Sequence, residues 1–309
     1  MQMLAHKKIV IVGLGLIGGS IARALTAQNF MGEIVGVCHD SAALQQALVD
    51  GSITGFTNDL QTACADADLI IIAVPVLAFT AVFQELAPVL AEHTVVTDVA
   101  SVKHTIVEAA EKVFGRVPVN LVPGHPIAGS EQSGYAAANA DLFAGRKVIL
   151  TPLEHTNPYA VKLVTELWQT MGAEVLQMEV AHHDEVLAAT SHLPHLLAFA
   201  LVDTLSQQGQ SEEIFRYAAG GFRDFTRIAS SDPVMWRDIF VSNADATVAI
   251  LDQYTSDLAL LRKALLGRDA MQLFAIIKRA KQSRDNFMVM NKSSTQTPAR
   301  NKLTNSTEE

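Results

Sequence analysis

One stretch carries both an imidazole and a carboxylate with little other side-chain bulk: Gly124-His125-Pro126-Ile127-Ala128-Gly129-Ser130-Glu131-Gln132-Ser133-Gly134. It follows an apolar run, Val119 to Val122, that reads as a strand. Its Gly and Pro content reads as a turn, and loops at strand ends are where α/β proteins place their chemistry. His125 is either a catalyst or an ordinary surface or structural histidine. Its company favours the first: a cofactor fingerprint upstream and a basic, aromatic cluster downstream.

The downstream cluster has two parts. Ser191-His192-Leu193-Pro194-His195 opens an apolar helix, with two histidines three apart on one face. No third ligand stands nearby with sensible spacing, so no metal is expected; the histidines read as substrate contacts or core residues. Next come Gly220-Gly221-Phe222-Arg223-Asp224-Phe225-Thr226-Arg227 and Ser231-Asp232-Pro233-Val234-Met235-Trp236-Arg237. Arginine grips carboxylates in bidentate fashion; the alternative is an interhelical salt-bridge network. Upstream, Asp98, Ser101 and Lys103 stand at the end of a strand over Thr94 to Val99, facing the expected cleft. Ser101 is a substrate contact or the N-cap of a helix from Val102.

The fingerprint is Gly13-Leu14-Gly15-Leu16-Ile17-Gly18, between a strand (Lys7 to Val12) and a helix (Ser20 to Ala27). In that context G-x-G-x-x-G binds a dinucleotide: Gly13 permits the turn, Gly15 lets the backbone approach a pyrophosphate, and Gly18 lets helix and strand pack. The alternative is an ordinary Gly-rich turn. The helix N-terminus around Leu16 and Ile17 supplies N–H groups for the phosphates. The second strand, Glu33 to Val37, ends in Cys38-His39-Asp40 where an NAD site usually has an acid for the ribose 2′-hydroxyl. Neutral Cys38 does not repel a 2′-phosphate, His39 can approach one, and Asp40 can serve a ribose instead. NAD and NADP both stay open. Val74 and Pro75, ending the strand from Asp68, complete the candidate cofactor contacts.

The elements that must hold these residues alternate strand and helix up to about residue 180. Further helices are expected over 42–49, 79–90 and 157–171, and further strands at Lys147 to Leu150 and Glu174 to Met178. That alternation implies a doubly wound parallel sheet covered on both faces. Beyond it the spacing predicts only helices, over 183–190, 193–207, 212–218, 233–262 and 269–290. The domains expected are 1–180, dinucleotide-binding, and 181–290, helical; the polar stretch 291–309 reads as a disordered tail. The chain has 309 residues, 49% apolar and 18% charged, with a net charge of −9 that argues against a nucleic-acid or membrane-surface binder. Lys7-Lys8 before an apolar run mimics a signal peptide, but the strand and glycine loop explain those residues better. The apolar run Leu69 to Phe79 is too short to span a bilayer. Two cysteines, Cys38 and Cys64, fit a reducing cytoplasm.

Together these motifs, with Gly19-Ser20 and Ser101-Val102-Lys103, resemble the prephenate dehydrogenase family of tyrosine biosynthesis, which includes arogenate and cyclohexadienyl dehydrogenases. The resemblance spans about residues 7 to 290. It implies a Rossmann-type domain followed by an all-helical dimerisation domain, a homodimer, and the NAD(P)-dependent oxidative decarboxylation of prephenate to 4-hydroxyphenylpyruvate. Carried over by motif, His125 is the catalytic base for the substrate's 4-hydroxyl and Ser101 touches the same hydroxyl. Arg227 holds a substrate carboxylate, His195 contacts substrate, Gly221 lies among the substrate-binding positions, and Glu131 and Asp224 match gating positions. Trp236 is delivered near the partner's active site. Cys38 departs from the Asp of many NAD-using members. Arogenate is the close alternative substrate, and Asp184 could favour its ammonium. A β-hydroxyacid dehydrogenase would need a catalytic Lys in the helical half, where none occurs between Lys162 and Lys263. A nucleotide-sensing binding protein would need neither His125 nor the Arg227 cluster.

Overall fold

The computed structural model describes residues 2–209 and 211–294. Six strands form a parallel sheet: β1 (Lys8–Val12), β2 (Glu33–Val37), β3 (Gly55–Thr57), β4 (Leu69–Ile72), β5 (Val95–Asp98) and β6 (Leu121–Val122), in the order β3-β2-β1-β4-β5-β6. This is the doubly wound order, with the switch of direction between β1 and β4. Residue alternation buries both faces. Ile9, Ile11, Leu69 and Ile71 enter one core, and Val10, Val12, Ile70 and Ile72 the other. The helices α1 (Leu16–Ala27), α2 (Ser41–Val49), α3 (Leu60–Cys64), α4 (Phe79–Leu86) and α5 (His104–Phe114) supply the crossovers.

The remaining strands leave this sheet. β7 (Gly124–Pro126), β8 (Lys147–Leu150) and β9 (Glu174–Gln177) form a separate three-stranded sheet, with β7 antiparallel to β8 and α6 (Pro158–Thr170) between β8 and β9. The doubly wound parallel sheet is as expected, but the expected strands at Lys147 to Leu150 and Glu174 to Met178 do not join it, and the reading of the His125 stretch as a turn is corrected. His125 lies opposite Ile149 in a paired strand. A Pro is tolerated there because β7 is an edge. The short β3 is a further strand that local pattern does not announce.

After β9 come α7 (Val180–Leu187), α8 (Leu193–Ser206), α9 (Ser211–Arg216), α10 (Gly220–Thr226), α11 (Pro233–Ser242), α12 (Ala244–Leu266) and α13 (Ala270–Ser294). A π-helical turn, Ala188–His192, joins α7 and α8 into one run. The run Val180–Ser206 is long and apolar enough to cross a bilayer by length and composition, which the shorter stretch Leu69 to Phe79 is not. It buries His183, Asp184 and His192 within the fold. The expected single helix over 233–262 breaks at Asn243, whose side chain turns inward to bond the Asp184 carbonyl and His192. By contacts the chain divides into Met1–Leu251 and Asp252–Glu309. The expected tail begins inside α13, which runs to Ser294; residues 295–309 lie outside the described residues.

Between the two sheets sits a buried ion pair. Lys103 and Asp98 are both fully buried and bond each other directly. Asp98 also accepts the Ala100 N–H at 2.8 Å and the Gly124 N–H at 3.1 Å, while Lys103 donates to the Gly124 carbonyl at 2.6 Å. Burial pulls the Lys103 pKa down and pushes that of Asp98 up. The direct contact and the two backbone N–H groups keep the pair ionic. A side chain at Gly124 would meet the Asp98 carbonyl at 3.0 Å, so the close approach of β5 and β7 needs glycine. Removing one charge of such a pair strands the other: Lys103→Met lowers unfolding free energy by about 3–5 kcal/mol. Adding Asp98→Asn recovers part of it. A wild-type urea midpoint for Lys103→Met would show that the pair carries nothing.

Candidate active site

His125 is the centre of a chain of buried polar groups. It stands on β7 with 8% of its surface exposed. Its Nδ1 lies 2.9 Å from Nε2 of His183 on α7, and His183 Nδ1 lies 2.8 Å from Asp184 Oδ1. Asp184 further accepts the backbone N–H groups of Lys103 and His104, each at 2.9 Å, at the start of α5. Burial alone would raise the Asp184 pKa; the bonds from His183 and the two N–H groups hold it below the ordinary carboxylate range. His125 is pushed well below 6.5 by burial, then by His183, Lys103 and His192. Burial likewise lowers His183, with the Asp184 bond working against it and Lys103 reinforcing it.

His192, at the end of the π turn, is buried and bonded through Nδ1 to the Asn243 amide at 3.0 Å, and burial lowers its pKa to about 4. His195, one turn on, gives Nδ1–H to the Ser191 carbonyl at 2.8 Å and stacks on Trp236, ring centroids 3.7 Å apart. Its pKa is lowered by burial and by the positive charge of Arg227, which places that guanidinium within electrostatic reach. Arg227 pairs with Glu131 at 3.2 Å, both exposed. Such a pair contributes about 0–1 kcal/mol to folding, so Arg227 is free to exchange a protein carboxylate for a ligand's. This departs from the interhelical network: Arg227 bonds a loop beyond β7.

Some expectations change. Ser101 is not the helix N-cap, since α5 starts at His104 with Lys103 at the cap. It lies half-buried and makes no side-chain hydrogen bond among the described residues. Trp236 is buried against His195, Phe199 and Phe240 of its own chain. Asp184 is buried, and its carboxylate already accepts from His183 and two backbone N–H groups. Asp224 and Gly221 are exposed on α10, with no bond to another candidate among the described residues. One buried group of the site went unread in the sequence, His183, and Lys103, read as a cleft residue, is instead paired with Asp98. The signals available were a His-Asp pair opening an apolar helix and an Asp and Lys five apart around a strand end.

The glycine loop fits a dinucleotide. Gly13 has φ +97°, and a Cβ there would strike the Ala73 carbonyl; a Cβ at Gly18 would strike the Gly13 carbonyl. Gly15 faces open space, and as N-cap of α1 it has no side-chain cap, so the first-turn N–H groups, those of Leu16 and Ile17 among them, point at nothing of their own helix. Val74 is half-buried and Pro75 exposed just past β4. At the end of β2, Cys38 is half-buried, and His39 and Asp40 are exposed. Asp40 caps α2 through one carboxylate oxygen, accepting from Ala42 and Ala43. No group of three or more metal-ligating side chains with suitable geometry occurs among the described residues.

The buried histidines give a pH prediction with a definite sign. Unfolded histidine titrates near 6.5, whereas His125, His183, His192 and His195 all titrate lower in the fold. The unfolded chain therefore binds more protons as pH falls below 6.5. Stability is full above that pH and drops through the folded values. His192, at about 4, alone removes about 3 kcal/mol across that window. Urea unfolding at pH 7.5, 6 and 5 reads it; a flat profile contradicts the buried neutral histidines.

Comparison with known proteins agrees with this architecture. Residues 21–177 match the prephenate dehydrogenase nucleotide-binding domain, and 179–279 the prephenate dehydrogenase dimerization domain. The cyclohexadienyl dehydrogenase of Zymomonas mobilis is 37% identical over 287 residues, 91% of this chain and 96% of that protein. The prephenate dehydrogenase of Bacillus subtilis is 37% identical over 289 residues, 92% of this chain and 77% of that protein. The crystal structure of prephenate dehydrogenase from Aquifex aeolicus with hydroxyphenyl propionate and NAD+ superposes with a TM-score of 0.86 at 36% identity, covering 92% of this chain and 99% of that one. With both halves matched and this level of identity, the chain belongs to the prephenate dehydrogenase family.

Proposed function

We propose that His125 is the general base of an NAD(P)-dependent oxidative decarboxylation that converts prephenate to 4-hydroxyphenylpyruvate. The enzyme is an NAD(P)-dependent dehydrogenase of its family. The observation that carries the residue assignment is a buried, neutral imidazole at the middle of β7, backed by His183 and Asp184. Prephenate carries a 4-hydroxyl, a ring carboxylate and a pyruvyl side chain. A bound nicotinamide would supply the hydride acceptor for C4. As the C4–O bond gains carbonyl character, His125 takes the hydroxyl proton. The ring carboxylate departs as CO₂ and the ring becomes aromatic. Gly13, Gly15 and Gly18 hold the dinucleotide phosphates, Ser101 touches the 4-hydroxyl, and Arg227 grips a carboxylate, released from Glu131 as substrate arrives. His195, flat against Trp236, keeps Nε2 free to accept a bond from substrate.

Dual use of arogenate is a second reading, supported by the cyclohexadienyl dehydrogenase of Zymomonas mobilis. A homodimer completes the assembly. The matched dimerization domain supports it, as do the apolar side chains that α12 and α13 expose, among them Leu266, Met271 and Phe274. That apolar surface is more extensive than single scattered residues require. The free cysteines suit the cytoplasm.

Purified protein with prephenate or arogenate, each with NAD and NADP, tests the reaction by reduced-nicotinamide absorbance. His125→Asn lowers kcat by roughly 10²–10⁴ with cofactor affinity unchanged. In the wild type the acid limb of kcat/KM lies well below pH 6.5, because activity is lost only as His125 protonates and burial depresses that step. Arg227→Ala raises KM roughly tenfold to a hundredfold with little change in melting temperature. A normal kcat for His125→Asn would move the base elsewhere.

Cofactor choice rests on the end of β2. Asp40 is engaged as a helix cap and Cys38 is uncharged, so the site does not strongly exclude a 2′-phosphate. Cys38→Asp shifts preference toward NAD. A wild type that already rejects NADP a thousandfold would show that another residue sets the choice.

A further inference from the structure

We propose that His183 and Asp184 are positioning residues that fix the tautomer of His125, presenting a bare Nε2 to the cleft and sharing the positive charge that His125 takes on. The inference rests on His125 being the base.

The bonding leaves one consistent assignment. Asp184 is ionised and can only accept, since it already takes two backbone N–H groups. His183 Nδ1, 2.8 Å away, must therefore carry the proton. His183 is fully buried and close to the Lys103 ammonium, both of which disfavour a second proton on its ring. Its Nε2 is then a lone pair. His125 Nδ1 lies 2.9 Å from that lone pair and must donate to it. Neutral His125 is left with its lone pair on Nε2. That nitrogen takes no hydrogen bond among the described residues and is not among the fully buried unpartnered atoms. The reverse arrangement, Nε2–H on His183, would require either a buried imidazolium or Nδ1 facing a carboxylate lone pair to lone pair.

The same chain stabilises the product of proton transfer. The substrate O–H bond breaks and its proton joins His125 Nε2. The Nδ1 proton then shifts along the 2.9 Å contact toward His183, whose other nitrogen already faces the Asp184 carboxylate. No other group changes protonation. The charges facing the pair are Lys103 and Asp98 from the β5–α5 junction, His192 from the π turn and Asp184 itself. Lys103 and His192 oppose a positive ring and the carboxylates favour it. Asp184 is the carboxylate in direct contact. A merely structural trio would need neither this order of donors nor an open nitrogen at its end.

The test combines tautomer and kinetics on the full-length enzyme. Two-bond ¹H–¹⁵N spectra of histidine-labelled protein at pH 7.5 show His125 protonated at Nδ1 and bare at Nε2. Asp184→Asn sets an amide NH2 against one of the three donors that the carboxylate accepts and removes the negative charge behind His183, and kcat falls by roughly 10²–10⁴. His183→Leu lowers kcat by roughly a hundredfold, with KM for prephenate and cofactor affinity within about twofold, and His183→Gln, which restores an acceptor oxygen, recovers much of it. In a His125→Asn background, His183→Leu costs nothing more. An Nε2–H tautomer of His125 in the wild type overturns the proposal even if no variant folds. So does wild-type kcat in folded His183→Leu. If His125→Asn itself keeps wild-type kcat, the assignment of the base fails instead.

Discussion

The site depends on one buried ion pair. Asp98 ends the main sheet, Lys103 starts the next crossover, and Gly124 is held by both, donor to one and acceptor to the other. That arrangement ties the second sheet to the first at the residue before His125. Ion pairs this deep rarely stabilise a fold relative to apolar packing of the same volume, because desolvation offsets their attraction. What this pair does supply is position. It fixes the backbone of β7 against β5 without a side chain at Gly124, and it sets the Lys103 ammonium within electrostatic reach of His125. That charge contributes to keeping His125 neutral.

The second wall is the run of helix from Val180 to Ser206. It is apolar over most of its length, yet it turns His183, Asp184 and His192 into the interior. Asp184 is matched by four donors, counting His183 and Asn243 at its carbonyl, and His183 has a partner at each ring nitrogen; His192 is bonded at Nδ1 alone. The π-helical turn lies between His183 and His192. Such turns insert a residue and rotate the helix beyond them, and they recur at functional sites. Here the turn sets His192 toward Asn243, the residue that breaks α11 from α12. The break and the π turn are two ends of one hydrogen-bonded contact.

Much of this was legible in the sequence where local pattern decides structure. The continuous apolar runs of β1, β2 and β4, the glycine spacing and the shift to helix-only periodicity each depend on a few neighbouring residues. What was not legible is non-local. β7 is three residues including a proline, too short for any period, and only pairing with Ile149 makes it a strand. β8 reads like any buried parallel strand, and nothing local says that it joins another sheet. His125 was readable from its company of motifs. His183 was not, because its partner lies 58 positions away and its neighbour Asp184 looked like a substrate contact. Lys103 looked like a cleft residue, although its charge is spent on Asp98. Asn243 sits in an unbroken helical pattern, and it stops the helix only because its amide is needed by Asp184 and His192.

As the proposed base, His125 has so depressed a pKa that it is a weak one, and the reaction tolerates that. The hydroxyl proton is held tightly in the ground state, but as hydride leaves C4 the oxygen becomes a carbonyl oxygen and its proton becomes strongly acidic. The proton can then move to an imidazole that would not otherwise accept it. Loss of CO₂ and aromatisation carry the sequence forward, so the base need not supply driving force. What it must supply is availability: a neutral ring with the correct nitrogen exposed at any pH above its depressed value. Burial and Lys103 provide the first condition, and the order of donors from Asp184 outward provides the second. The same desolvation that makes His125 weak also strengthens its contact with His183 once the charge forms, since attraction in a dry site is less screened. The enzyme thus stores no charge at the base before reaction, and it has a carboxylate waiting behind a second ring for the moment when charge arrives.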